Sequence, residues 1–273
     1  MESAQQKVHA AEQAISRFGS VMVALSGGVD SSLLLALAVR ALGPEGVLAV
    51  TALGPVESDE DARSAAEVAR LTGAPHRIVH LDPLQIPEFP KNTPERCYVC
   101  RQQLYAELER IRADEGLAAI LDGAIADDAQ DYRPGSKAAS EAGVVRPLAD
   151  AGLTKDEVRA VSRELGLPTA DKPASPCLAS RFPYGETITV EGLSTVARAE
   201  EFLHDRGFPV VRVRHHGRLA RIEVPTEQIA LLAAEPLRSE VVAMLRDVGY
   251  AYVCLDLLGF RSGSLNEVLP DRR

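Results

Sequence analysis

Short continuous apolar runs alternate along the chain with helically spaced apolar residues. Residues 21–25 predict a buried strand, residues 33–39 predict a buried helix, and the polar turn 26–32 joins the two. Further strands are predicted at 47–53, 76–81, 118–121 and 144–148, with helices between them. This rhythm predicts an α/β fold, a doubly wound, mostly parallel, Rossmann-like domain.

The remainder of the chain has a different order of elements. Residues 190–206 predict a helix, 210–214 and 219–224 two strands, 226–248 a helix broken at Pro236, and 251–257 a last strand. Such an order is typical of a small two-layer α/β domain. We therefore predict two domains, one at 1–185 and one at 186–273, with Cys254 buried in the last strand.

The turn at 26–32 has the composition of an anion-binding loop. Its glycines permit close approach of the backbone to a ligand, and the helix that follows offers N–H groups and a positive dipole end. The hydroxyls add donors, and the carboxylate of Asp30 can hold a divalent cation. The predicted ligand is a metal-bound polyphosphate, contacted by Ser26, Gly27, Gly28, Asp30, Ser31 and Ser32.

Other residues are expected at the same carboxyl edge of the sheet. The end of the second strand, near Thr51, is a candidate adenine contact, and Asp128 follows the 118–121 strand as a candidate for nucleotide or magnesium contact. Arg133 could meet a phosphate or carboxylate. Lys155, in a helix opened by the capping box at 154–157, is either a solvated lysine or a phosphate ligand.

Composition limits the possible functions. The chain has 273 residues, 46% hydrophobic and 25% charged, with a net charge of −9. An acidic chain disfavours a nucleic-acid backbone as the main partner. No apolar run reaches ~18 residues and no signal-peptide pattern opens the chain, so we expect a cytoplasmic protein without a membrane partner.

Three cysteines form a second constellation. Cys97 and Cys100 make a C-x-x-C pair at the start of a predicted helix, and Cys177 lies in a proline-rich stretch without periodicity. Thiolates at this spacing can hold an iron–sulfur cluster or zinc, or form a redox dithiol. A three-cysteine [4Fe–4S] cluster is favoured, because its open iron could hold an extra sulfide; zinc, a dithiol and inert cysteines remain alternatives.

Basic residues form a third constellation. Arg212 and Arg214 alternate along a predicted strand, so they project from one face. Arginine pairs bind phosphate or carboxylate through paired N–H groups. Glu200 and Glu223 could balance these arginines or hold a cation. An exposed basic strand face is the alternative.

The loop 26–32 resembles the S-G-G-x-D-S pyrophosphate loop (PP-loop) of ATP pyrophosphatases. Around Lys155, residues 153–155 resemble the segment that reaches ATP in NAD synthetases. Together with 122–135, 146–148 and, most specifically, 173–181, these stretches resemble the LarE family of ATP-dependent sulfur transferases. The resemblance implies ATP, Mg2+ and adenylation of pyridinium-3,5-biscarboxylic acid mononucleotide, whose carboxylate becomes a thiocarboxylate for the nickel-pincer nucleotide.

Further residue roles follow only from this resemblance. It implies that Cys97, Cys100 and Cys177 hold a [4Fe–4S] cluster with an extra sulfide, as in one group of family members. Others use the cysteine matching Cys177 alone and give up its sulfur. The substrate phosphate would lie at Ser180, Arg181, Arg212 and Arg214, with Glu200 and Glu223 nearby. A sulfide donor and a homo-hexamer are also implied.

Three other functions are compatible with the sequence. A tRNA thiolase also combines a pyrophosphate loop with cysteines, although the acidic charge and the absence of an evident RNA-binding module count against it. An amidating ligase of the NAD or GMP synthetase type would not need the cysteines. An iron–sulfur, nucleotide-binding sensor would release no AMP or pyrophosphate.

Overall fold

The computed structural model describes residues 3–130 and 134–269. Residue contacts divide the chain into two compact units, the first made of Met1–Pro83 and Glu95–Ser175, the second of Leu84–Pro94 and Pro176–Arg273. The second unit thus begins before the predicted boundary at residue 185. Among the described helices, none combines the length and the apolar surface needed to cross a membrane.

The first unit is built on a parallel sheet with the strand order β3-β2-β1-β4. Its strands are β1 (Val21–Ala24), β2 (Val47–Leu53), β3 (His76–His80) and β4 (Ala119–Leu121). Its helices are α1 (Ala4–Ser16), α2 (Val29–Leu42), α3 (Asp59–Thr72), α4 (Arg96–Asp114), α5 (Pro134–Glu141), α6 (Pro147–Asp150) and α7 (Lys155–Glu164). The predicted α/β class with a parallel sheet is confirmed.

Helices cover both faces of this sheet, and successive side chains of β1 therefore pack into two different cores. Val21 and Val23 pack with residues of α1, α2 and α7, whereas Met22 packs with residues of α4 and α5. Strands buried on both faces are apolar throughout, which explains the continuous run in the sequence.

The order of the strands creates a reversal beside β1. The chain places β2 and β3 on one side of β1 and then returns to put β4 on the other side. Ligands of open α/β sheets bind at the carboxyl ends of the strands where such a reversal occurs. The loops at 26–32 and 122–128 follow β1 and β4 and therefore flank this position.

Local sequence signals explain several element ends. Ser58 caps α3 by accepting a hydrogen bond from the Asp61 N–H, and the predicted capping box of Thr154 and Glu157 opens α7. The strand predicted at 144–148 is wrong, since the structure has one bridge between Leu121 and Val145, and then α6 begins. Pro147 lacks the N–H of a sheet ladder and favours the first helical position.

The second unit has a sheet with the order β5-β6-β7, in which β5 and β6 are antiparallel and β6 and β7 are parallel. Its elements are α8 (Val190–Asp205), β5 (Arg212–His216), β6 (Leu219–Glu223), α9 (Ile229–Leu232), α10 (Leu237–Asp247) and β7 (Tyr252–Leu255). The 84–94 segment joins this unit through Asn92, whose side-chain amide donates to the carbonyls of Phe182 and Pro183.

The predicted burial of Cys254 is wrong. β7 is an edge strand, and Val253 and Leu255 pack on the core formed with α8 and α10. Because side chains alternate along a strand, Tyr252 and Cys254 face away from that core and are exposed.

Candidate functional site

The loop after β1 leads directly into the amino terminus of α2. Gly28 is the cap residue of that helix, and among the described residues no side chain forms a capping hydrogen bond there. Ser31 and Ser32 instead donate to the Gly28 carbonyl, with oxygen–oxygen distances of 3.2 and 2.8 Å. The N–H groups of the first helical turn can therefore bind an anion.

Gly27 allows this loop to lie in close contact with α3. Its φ is +76°, a backbone conformation that favours glycine, and a Cβ placed on it would lie 2.1 Å from the carbonyl oxygen of Asp61. Gly123, after β4, also approaches the loop, since its Cβ would lie 2.8 Å from the Ser31 nitrogen. The loops that follow β1 and β4 are thus in contact.

Lys155 meets Asp30 although the two lie far apart in sequence. The Lys155 Nζ is 2.7 and 2.9 Å from the two carboxylate oxygens of Asp30. Both side chains are about one-third exposed, at 33% and 28%. Lys155, a candidate phosphate ligand, is thus paired with Asp30, the residue predicted to hold Mg2+.

Lys172 and Asp61 form a second ion pair beside the loop, which sequence reasoning missed. The Lys172 Nζ is 2.7 Å from Asp61 Oδ1, 2.9 Å from Ser64 Oγ and 3.2 Å from the Gly27 carbonyl oxygen. The one signal in the sequence is that Lys172 opens the proline-rich stretch before Cys177. Nothing in the local pattern relates it to Gly27.

The predicted nucleotide contacts at Thr51 and Asp128 are engaged within the protein. The Thr51 hydroxyl is buried, donates to the Leu25 carbonyl at 2.8 Å, and lies 2.8 Å from the His76 Nε2. Asp128 accepts a hydrogen bond from the Ile125 N–H at 3.1 Å. Their roles toward adenine and magnesium stay predictions. Arg133 lies outside the described residues.

Cys97 lies in the first turn of α4, and Cys100 lies at the start of its second turn. Cys97 is exposed, Cys100 is half-buried, and the Arg101 guanidinium is close enough to both thiols for electrostatic attraction. Arg101 also lies 3.5 Å from an Asp122 carboxylate oxygen. The structure thus brings two thiols and a cation to the carboxyl end of β4.

Cys177 belongs to the second unit, immediately before the turn at Leu178–Arg181. Its side chain is half-buried, and its carbonyl accepts from the Ser180 N–H at 2.9 Å. Within residues 3–130 and 134–269, no three His, Cys, Asp or Glu side chains are arranged to hold a metal ion. Thiol donors suit an iron–sulfur cluster chemically, so the three-cysteine set stays a prediction.

Glu57, in the turn after β2, has a perturbed carboxyl group. Burial raises its pKa from 4.5 to about 7, which outweighs the hydrogen bonds of the Glu57 and Gly54 N–H groups and the charge of Arg101. The folded state therefore retains a proton on Glu57 that the unfolded chain loses above about pH 4.5. The free energy of unfolding consequently falls as the pH rises from about 4.5 through 7.

We expect Glu57→Gln to be more stable than the wild type at pH 8.5 by about 3 kcal/mol, and nearly equal to it at pH 4. The glutamine removes the cost of a buried carboxylate and keeps its oxygen as an acceptor. Urea unfolding at both pH values measures the difference. Glu115→Gln is the control, because that side chain is 41% exposed. A Glu57→Gln advantage independent of pH would contradict the raised pKa.

The predicted substrate residues of the second unit lie together. Arg181 binds Glu200 through two N–H groups at 2.9 and 2.6 Å, and Glu200 also accepts from the Val213 N–H at 2.7 Å. Arg214 reaches Glu223 at 2.7 Å. These four charged side chains are all buried.

Strand register explains how this group forms. Arg212 lies opposite Glu223, and Arg214 opposite Arg221, on the antiparallel pair β5 and β6. The Arg214 guanidinium also donates to the Ser180 carbonyl at 2.9 Å. Sequence reasoning missed Ser264, whose hydroxyl lies 2.9 Å from the same guanidinium.

Arg212 has a perturbed guanidinium group. Its pKa is lowered to about 10, chiefly by burial and also by the positive charges of Arg181 and Arg214, while Glu200 and Glu223 oppose the effect. Its guanidinium lies over the ring of Phe260, 5.3 Å from the centroid. An anion bound among these arginines would relieve the repulsion between their charges.

Comparison with known proteins is consistent with this geometry. Residues 4–102 match the family model described as NAD synthase. The chain is 43% identical to the pyridinium-3,5-bisthiocarboxylic acid mononucleotide synthase of Lactiplantibacillus plantarum, over 91% of this chain and 90% of that protein. It is 44% identical to the uncharacterized protein slr1717 of Synechocystis, over 91% and 92%. A tRNA-specific 2-thiouridylase, MnmA 1 of Syntrophus aciditrophicus, is 30% identical over 63% and 56%.

Proposed function

Because the chain belongs to the LarE family of pyridinium-3,5-bisthiocarboxylic acid mononucleotide synthases, we propose that it is an ATP-dependent sulfurtransferase. Its substrate is pyridinium-3,5-biscarboxylic acid mononucleotide, whose carboxylates it converts to thiocarboxylates. The observation that carries the proposal is the 43% identity, which spans 91% of the chain and therefore parts of both units. The glycine loop and the buried arginine cluster support it.

The first step is adenylation of a substrate carboxylate. A carboxylate oxygen attacks the α-phosphorus of ATP, pyrophosphate leaves, and an acyl adenylate forms. The N–H groups at the start of α2 and the hydroxyls of Ser26 and Ser31 would bind the leaving pyrophosphate. Asp30 would hold Mg2+. The ammonium group of Lys155, which is paired with Asp30 in this structure, would then bind the phosphates instead.

The second step replaces AMP by sulfur. Cys97, Cys100 and Cys177 would hold a [4Fe–4S] cluster, which when bound supplies sulfide as the nucleophile. AMP is a much better leaving group than a carboxylate oxygen, so adenylation makes the acyl carbon reactive. The positive charge of Arg101, beside the Cys97 and Cys100 thiols, would attract anionic sulfur. We further propose a separate sulfide donor and assembly as a homo-hexamer.

The arginine cluster of the second unit would hold the substrate phosphate. Arg212 and Arg214 are positioned by β5, while Glu200 and Glu223 fix the neighbouring guanidinium groups. Paired N–H donors suit a phosphate monoester, and burial strengthens the attraction.

An anaerobic reaction with ATP, Mg2+, the biscarboxylic mononucleotide and sulfide tests the proposal. We expect release of AMP and pyrophosphate, and replacement of a carboxylate oxygen by sulfur in the product mass.

Iron and sulfide assays with an absorption spectrum test the cluster, and loss of sulfur from Cys177 would instead indicate the single-turnover route. Full activity after replacing Cys97, Cys100 and Cys177 by alanine would favour an amidating ligase, and salt-sensitive tRNA binding would favour a tRNA thiolase.

Arg212→Met is expected to raise the KM for the mononucleotide by about 100-fold, because it removes paired charge-assisted hydrogen bonds to phosphate. The corresponding nucleoside, which lacks phosphate, should bind both proteins equally. Steady-state kinetics with both compounds measure the effect. Arg198→Met is the control, since Arg198 is 55% exposed in the same unit and lies 3.6 Å from Asp247. Equal losses for nucleoside and mononucleotide would contradict a phosphate site at Arg212.

A further inference from the structure

Lys172 is held against the pyrophosphate loop by a complete set of acceptors. An ammonium group has three N–H donors, and Gly27, Asp61 and Ser64 each provide one oxygen within 3.2 Å of Nζ. The Lys172 side chain is 9% exposed and that of Asp61 is 16% exposed. A lysine this buried, with all donors used, has one defined position.

The contact with Gly27 has a consequence for the neighbouring peptide group. In a trans peptide, the carbonyl of Gly27 and the N–H of Gly28 point in opposite directions. A carbonyl fixed on the ammonium group therefore directs the Gly28 N–H away from Lys172. Gly28 caps α2, so this N–H belongs to the anion-binding end of that helix, where it donates to the Ser26 Oγ at 3.4 Å.

The surroundings keep Lys172 in place. The Asp61 carboxylate also accepts from the hydroxyls of Ser58 and Ser175, at 2.7 and 3.0 Å. Arg159 donates to the carbonyl of Lys172 at 2.9 Å and to that of Ala170 at 2.7 Å. Thus α3 holds the side chain of Lys172 and α7 holds its backbone.

We propose that Lys172 is a positioning residue that keeps the Gly27–Gly28 peptide oriented for phosphate binding. The nucleotide-binding loop G-x-x-x-x-G-K-[ST] carries a lysine within its motif, which contacts phosphate, whereas the loop at 26–32 has none. Here a lysine from a distant segment acts on the loop backbone. The inference goes beyond the proposed function and rests on only one part of it, the binding of ATP by this loop.

The test is titration calorimetry of Mg·ATP into the full-length protein, without an acceptor substrate. We expect Lys172→Met to raise the Kd by about 10- to 100-fold, the range for loss of a hydrogen bond to a charged group. Lys172→Arg should recover part of the affinity. In turnover, the KM for ATP should rise while the KM for the acceptor stays unchanged, a split that a general loss of folding would not produce.

A matched control is available in the first unit. Arg112 donates to the Leu117 carbonyl at 2.6 Å and to Glu109 at 2.7 Å, so it also joins a carboxylate to a backbone oxygen. Leu117 precedes β4, which puts this pair at the amino edge of the sheet, away from the loop. Arg112→Met should therefore leave the Kd for ATP unchanged.

Asp61→Asn distinguishes positioning from direct phosphate contact. If Lys172 acts through Gly27, Asp61→Asn also weakens ATP binding, and the double substitution adds little to Lys172→Met. Tighter ATP binding by Asp61→Asn would mean that a released Lys172 binds phosphate itself, and would overturn the proposal. A wild-type Kd for Lys172→Met, or no ATP binding by the wild type, would also overturn it. Failure of thiolation with intact ATP binding would overturn the proposed function alone.

Discussion

Gly27→Ala is expected to weaken Mg·ATP binding by about 100-fold or more, because several N–H groups that face the phosphates lose their alignment together. A φ of +76° costs a non-glycine residue about 1–2 kcal/mol. The added Cβ would also lie 2.1 Å from the Asp61 carbonyl oxygen, which belongs to the backbone of α3 and cannot rotate away. The loop must shift, and with it the start of α2. Titration calorimetry measures the loss.

Substitutions of two other glycines distinguish the effect of the positive φ from the effect of the close contact with α3. Gly43 also has a φ of +76°, but no atom lies within 4 Å of its added Cβ, so Gly43→Ala should lower stability and leave the Kd for ATP unchanged. Gly28 has a φ of −85°, and its Cβ would meet only the Ser26 Oγ at 3.5 Å. Gly28→Ala should therefore keep wild-type stability. Wild-type ATP affinity in Gly27→Ala would contradict the role of the contact with α3.

Arg181→Met should destabilise the second unit by about 3–5 kcal/mol, because it leaves Glu200 buried without its ion-pair partner. The two side chains are 3% and 5% exposed and meet through two N–H groups. Methionine occupies a similar volume, so the lost charge rather than a cavity should cause the effect. Denaturant unfolding with a probe in the second unit measures it.

An exposed pair in the same unit is the control. Arg206 and Glu240 lie 3.1 Å apart and are 42% and 46% exposed, so Arg206→Met should cost at most about 1 kcal/mol. Replacing Arg181 and Glu200 together by apolar residues should recover much of the stability, although it would remove part of the proposed phosphate site. Equal costs for Arg181→Met and Arg206→Met would contradict the importance of burial.

Much of the fold could be predicted because its signals are local. The apolar runs at 47–53 and 118–121 and the caps at Ser58 and Thr154 identify elements without reference to distant residues. The two failures have different causes. Pro147 ended a strand that the apolar run around it suggested, which is a local effect, whereas Cys254 is exposed because it lies on the face of β7 that no other described element covers. A period of two predicts two faces of a strand but not which one is covered.

Some features of the candidate site follow from the sequence, and others only from the tertiary structure. The sequence by itself determined the loop at 26–32, its anion-binding chemistry and the residue types of the cysteine and arginine groups, because these depend on composition and short spacing. Only the tertiary structure decided that Lys155 meets Asp30, and that Lys172 meets Gly27 across 145 positions. Hydrogen bonds and ion pairs act over a few ångströms whatever the distance along the chain. Their partners are therefore fixed by strand order and helix packing, which no local pattern contains.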